Sequence, residues 1–204
     1  MPTTTGASVS VLASRNSQST ICASDEVAAR LDELQFDLGV GPCWQSLSTR
    51  QPVIAPRLRT DEYSAWPIFT QALHNENDQL NVAAIFAFPL VVGSLDIGAV
   101  DLYSVTEGSP SAAQITGAME LAGVTAWEVL RRILADGDGT DDPIGDMSRR
   151  EVHQATGMVL AQLGISAQDA ALLLRAHAFA TARSVREVAG DVVARRIDFS
   201  DGGR

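Results

Sequence analysis

Side chains able to carry chemistry gather toward the C-terminal end of the sequence. Arg149, Arg150, His153, Gln154, Thr156, Gly157, Arg175, His177, Arg183 and Arg186 combine fixed positive charge, imidazole and amide groups, and small residues. On one face they would suit a polyanion, with guanidinium groups on phosphates and amide or ring groups on bases. The other reading is ordinary solvated helix surface, with Gly157 serving helix packing. Nearer the N-terminus, Cys43 follows Gly41-Pro42 at an expected helix start. Free N–H groups and the helix dipole there favour a thiolate, and a small buried hydrophobe is the alternative. Trp66, Phe86, Phe88 and Tyr103 could line a ligand pocket with Cys43, or fill the core.

No enzyme signature accompanies these groups: GxSxG, Walker A, GxGxxG and HExxH are absent from the sequence. Acid pairs such as Asp32-Glu33 and Asp61-Glu62 are adjacent and so point apart, unlike a general acid/base couple. Cys22 and Cys43 are too few and too separated for a zinc site or a disulfide framework. Neither catalysis nor a metal or cofactor is expected.

The elements that must position these residues belong to an ordinary folded protein. Of 204 residues 46% are hydrophobic and 20% charged, enough to bury a core and unlike a disordered chain. All 15 basic residues are arginine, and against 25 acids they leave a net charge of −10. Cut near Gly145, the first part carries seven arginines and 18 acids, and the second eight arginines and seven acids. The acidity belongs to the first part, and only the second could approach a polyanion. The start lacks a basic and apolar leader, and the apolar run Val82–Val92 is short and interrupted by Pro89. The expectation is a cytoplasmic protein without a membrane anchor.

The clearest boundary is residues 136–147, rich in Asp and Gly, which cannot bury a face and reads as a solvated linker between domains at 1–135 and 148–204. In the first domain Ala7–Ser14 and Ser19–Cys22 read as a strand pair. Val27, Leu31, Leu34 and Leu38 have helical spacing that Gly39 ends, and Pro42 opens a shorter helix through Leu47. Val53–Ala55 reads as a strand and Ala65–Leu73 as a helix. Val82–Val91 and Ile97–Ser104 flank the hairpin signal Gly93-Ser94. Helix Ser111–Ala135 carries Ile115, Met119, Ala122, Ala126, Val129 and Ile133 at spacings of 4 and 3, a short coiled-coil seam assigned here to a homodimer. Leu121, Val124 and Leu130 form a second apolar line, so that one line can cover the sheet while the other meets a second copy. A single broad core face is the alternative. The second domain reads as three helices: Ser148–Leu163, one capped by Ser166, and one opened by the capping box Ser184-Val185-Arg186-Glu187.

Residues Ala23–Cys43, Pro52-Val53-Ile54, Trp66-Pro67-Ile68-Phe69, and the hairpin Phe88-Pro89-Leu90 to Ile97–Ser104 resemble a GAF domain over most of 7–135. The resemblance implies an α+β fold, an antiparallel sheet flanked by helices, with a ligand-sized cavity on one face. The family normally begins with a helix before its first strand, which would here come from upstream or from a partner. The Asn-Lys and Phe-Asp-Glu pattern of cyclic-nucleotide GAF domains is absent, and the chain has no lysine.

Gln154–Leu160, Leu163–Ser166, Asp169-Ala170, Leu174–Ala178 and Val188–Val193 resemble an ANTAR domain over Ser148–Phe199. That implies an all-α three-helix bundle that binds paired hairpins in nascent leader RNA as a transcription antiterminator. Thr156 and Ala182 depart from the lysine and asparagine common at those positions. GAF followed by ANTAR is a layout of bacterial, especially actinobacterial, signal-transduction regulators. The partners it implies are leader RNA, a second copy and a small molecule in the sensory domain, with neither DNA nor membrane.

Overall fold

A computed structural model describes residues 4–14, 17–58, 65–76, 80–136, 143–181 and 183–200. The chain falls into two compact units, Met1–Gly139 and Thr140–Arg204.

In the first unit, strands β1 (Gly6–Ser14), β2 (Ser17–Ala23), β3 (Val53–Ala55), β4 (Ala84–Val92) and β5 (Leu95–Ser104) form one sheet. Their order is β2-β1-β5-β4-β3, with every pair antiparallel. The expected hairpin closes β4 onto β5 with Gly93 at φ 60°, a conformation that costs glycine nothing. Alternation along β4 then decides what each face meets. Ala84, Phe86, Phe88 and Leu90 turn toward helix α4 (Ala112–Asp136), whereas Ile85 and Ala87 turn toward α1 (Glu26–Leu38) and α3 (Pro67–Asn75). Asp25 caps α1 by accepting from the Ala28 N–H, and Gly39 ends it in the left-handed region. Helix α2 (Pro42–Thr49) opens on proline, whose missing N–H is an orphan there anyway.

The α4 packing corrects the expected seam. Ala122, Ala126 and Val129 are buried against Phe86, Phe88 and Leu90, and Ile115 and Met119 pack on the same cluster. These residues therefore cover the chain's own sheet and do not face a second copy; Ile133 on the same line is exposed. The physical reason is size. Alanines at 122 and 126 let the helix axis approach a surface already filled by two phenylalanines.

In the second unit α5 (Pro143–Leu163), α6 (Ala167–Ala180) and α7 (Val185–Val193) surround a core of small residues. Ala155 and Val159 of α5 meet Ala170, Leu174 and Ala178 of α6 and Val185, Val188, Ala189 and Val192 of α7. Helix α5 begins at Pro143, five residues ahead of the expected Ser148, because proline presets the φ of a first helical turn. Residues 137–142 of the expected linker lie outside the described residues. Gly164 ends α5 at φ 65°, the segments Glu151–Leu163 and Ala167–Ala180 are bent by 107°, and Ser166 caps α6. The capping box at α7 forms as expected, with Ser184 and Glu187 satisfying each other's backbone N–H groups. Among the described residues no single helix is long and apolar enough to cross a membrane.

Candidate functional site

Among the described residues of the second unit, the polar groups lie outside a core that contains none. On α5, burial of Ala155 and Val159 leaves His153, Gln154 and Gly157 exposed on one helix face. Gly157 sits inside a continuous helix with open space where a side chain would project, so no tight backbone approach occurs there. Thr156 is half-buried and spends its hydroxyl on the Val152 carbonyl at 2.7 Å, which removes it from the exposed face. The side chains of Arg149 and Arg150 lie outside the described residues, as does Ala182. His177 is half-buried with its ring edge-on to Phe199 at 5.3 Å. Arg175 is half-buried and Arg186 exposed.

Arg183 is the most constrained of the expected basic residues. Its Nη2 donates to Asp191 Oδ2 at 2.7 Å, while Arg196 donates through Nε and Nη2 to Oδ1 at 2.6 Å. Hydrogen bonds from Arg183 and Arg196 hold the Asp191 carboxyl below the usual carboxylate range. One carboxylate thus ties together the residues before and after α7. Arg195 and Arg196 were not among the expected site residues, although their place directly after an amphipathic helix signals an exposed basic end. What this surface can do chemically is mostly donate, through guanidinium, imidazole and amide groups, with the carboxylates of Asp191, Glu187 and Asp198 among them.

The expected ligand set in the first unit is not brought together. Phe86 and Phe88 are buried under α4, while Trp66 and Tyr103 belong to the cluster under α1 and α3, and Cys43 to a third cluster with Leu12, Phe36, Leu47 and Ala99. Strand alternation separates them: Phe86 and Phe88 point to one face and Tyr103 to the other. Cys43 is fully buried at the start of α2, and burial together with the nearby Asp101 and Asp32 charges pushes its thiol well above its ordinary value. Of the two readings of Cys43, the structure bears out the small buried hydrophobe and contradicts the thiolate, because desolvation outweighs the helix dipole.

Beneath α1 lies a polar layer that sequence reasoning missed. Asp32 accepts from Ser8 Oγ at 2.7 Å and from Thr20 Oγ1 at 2.8 Å. Gln35 donates to Asp101 Oδ2 at 2.5 Å and accepts the Cys43 backbone N–H at 2.8 Å. Ser8 and Asp101 are cross-strand partners between β1 and β5, so both links meet at one spot on the sheet. Asp101 Oδ1 is buried with no hydrogen-bond partner among the described residues. Burial drives both carboxyls upward, Asp101 further than Asp32, since Asp101 also feels the Asp32 charge. Gly41 sits at φ 144°, and a Cβ there would strike the Gln35 side chain at 2.6 Å, which explains glycine at that position. The available signal was Asp32 and Gln35, polar residues three apart on the same helix as the apolar Leu31 and Leu34.

The model of the GAF domain family matches residues 2–130, and that of the ANTAR domain matches residues 147–193. A solved structure, a domain of a two-component sensor histidine kinase protein from Sinorhizobium meliloti 1021, is 15% identical with a TM-score of 0.47. That similarity covers 66% of this chain and 85% of the other. No curated protein matches the sequence.

Proposed function

The chain belongs to the GAF domain family and carries a C-terminal ANTAR domain, and from that premise we propose that it is a dimeric, cytoplasmic antitermination regulator that binds paired hairpins in nascent leader RNA. The observation that carries this reading is the ANTAR match on a bundle whose core is wholly apolar and whose exposed surface presents His153, Gln154, Arg186, Arg195 and Arg196. The first domain acts as the sensor. A signal there shifts the population of two arrangements of the pair, and thereby the spacing of the two RNA-binding units. Two linked hairpins engaged at once bind with an affinity set by effective concentration. The protein does no catalysis in this reading.

Filter binding of the full chain to a pool of two-hairpin RNAs with randomised loops tests it. Arg186→Ala should weaken binding for all sequences alike, because a phosphate contact carries no sequence information. Gln154→Ala should instead change which loops are selected, by roughly 1–3 kcal/mol for a lost base contact. Binding that neither substitution alters would remove the RNA reading.

A second reading, in which the helical unit docks on a partner protein, draws on one observation. Leu172, Ala176 and Phe179 of α6 recur at spacings of 4 and 3 and are all exposed, a stripe more suited to a protein than to RNA.

A further inference from the structure

With Ala122, Ala126 and Val129 turned to the sheet, α4 presents the opposite line to solvent: Glu120, Val124, Trp127, Arg131 and Leu134, at spacings of 4, 3, 4 and 3, with Leu121 beside it. Leu121, Val124, Trp127 and Leu134 are 70, 69, 64 and 69% exposed. One exposed leucine needs no explanation, but four large apolar side chains on one helix face mark an interaction surface.

We propose that this line seats a second copy of the chain with the two α4 helices antiparallel, about a two-fold axis between Thr125 and Ala126. The order of residues along the helix carries the inference. Reversed on itself about that point, the line sets Glu120 against the partner's Arg131, Val124 against the partner's Trp127, and Leu134 against the partner's Gly117. Around Gly117 no atom lies within 4 Å of where a Cβ would stand, so there is room to receive a leucine. A parallel pair would instead place Glu120 on Glu120 and Arg131 on Arg131, like charges in the middle of the contact. Arg131 uses Nε and Nη2 on Glu128, at 2.9 and 2.7 Å, which leaves its Nη1 to reach across. An isologous contact of this kind closes with two copies and leaves no free end.

This inference rests on the dimeric reading above and is independent of RNA. Sedimentation equilibrium of the full chain should give twice the monomer mass of 21.6 kDa. Val124→Asp with Trp127→Asp should raise the dimer Kd at least roughly tenfold while leaving the circular dichroism spectrum unchanged, since both residues are exposed. Glu120→Arg alone and Arg131→Glu alone should each weaken the dimer, and the two together should restore it, as only the antiparallel order pairs them. A monomeric wild type, a dimer indifferent to Val124→Asp/Trp127→Asp, or a double swap no tighter than the single ones would overturn the proposal. A monomer that still binds two-hairpin RNA overturns this inference and leaves the RNA reading standing; a dimer that binds no RNA does the reverse.

Discussion

The two units place their polar and apolar groups in opposite ways. The helical bundle encloses alanine, valine and leucine and keeps its charges outside, where Arg183 and Arg196 share Asp191. The first unit buries Asp32, Gln35 and Asp101 between helix and sheet, yet exposes leucine, valine and tryptophan along α4. The first unit thus departs from polar-outside, apolar-inside in both directions, whereas the bundle departs only on its surface, where Leu172 and Phe179 of α6 are exposed. Among the described residues the bundle buries no polar side chain, which suits a unit that holds one shape.

The largest effect should come from the bundle core, where small side chains leave nothing spare. Leu174→Ala removes the largest fully buried side chain of that unit, at a cost of about 2–5 kcal/mol. That is comparable with the whole stability of a unit of this size, so calorimetry should show the bundle unfolding early while the first unit keeps its transition. A single shifted transition would show that the units are not independent.

In the first unit the corresponding break is polar. Gln35→Leu leaves Asp101 without its remaining donor and the Cys43 N–H without an acceptor, which should cost about 1–3 kcal/mol. Chemical denaturation of the variant checks it, and an unchanged midpoint would mean that water already serves both groups.

The same layer sets a pH dependence of unusual sign. Asp32 and Asp101 rise from an ordinary 3.8 to about 6 and about 8, the chief cause being burial. The folded state therefore binds more protons than the unfolded state, so their contribution is present below pH 4 and is lost as pH rises through about 6 to 8. The thermal stability of the first unit should therefore fall as pH rises from about 4 toward about 8. Asp101→Asn, which carries no charge to desolvate, should flatten the decline, and an unchanged slope would sever it from this carboxyl.

Secondary structure was legible wherever a local signal had one physical meaning. Gly39, Gly93-Ser94, Ser166 and the Ser184–Glu187 box act within a few residues, and each element they bound is present. The α4 faces were not legible by spacing, because both lines satisfy the same period and only the partner surface distinguishes them. Side-chain size held the answer: alanines fit against Phe86 and Phe88, and tryptophan does not. The Asp32–Gln35–Asp101 layer escaped because Asp101 lies 66 residues beyond Gln35 in the chain and meets α1 only through the β1–β5 register. The expected aromatic pocket failed for the same reason, since strand alternation divides residues that composition alone groups together.

A smaller effect concerns the bundle surface. Arg186→Ala should reduce the slope of log affinity against log salt by about 0.7–0.9, the share of one phosphate contact. An unaltered slope with the same affinity would place Arg186 away from the RNA.

If two output bundles read two hairpins, as proposed, the full chain should separate two-hairpin from single-hairpin RNA pools between 50 and 200 mM salt, a range over which phosphate contacts alone change affinity by orders of magnitude. The expected result is salt-sensitive binding with a clear preference for the two-hairpin pool, lost with Val124→Asp/Trp127→Asp. Equal affinity for both pools, or binding that salt does not touch, would contradict it.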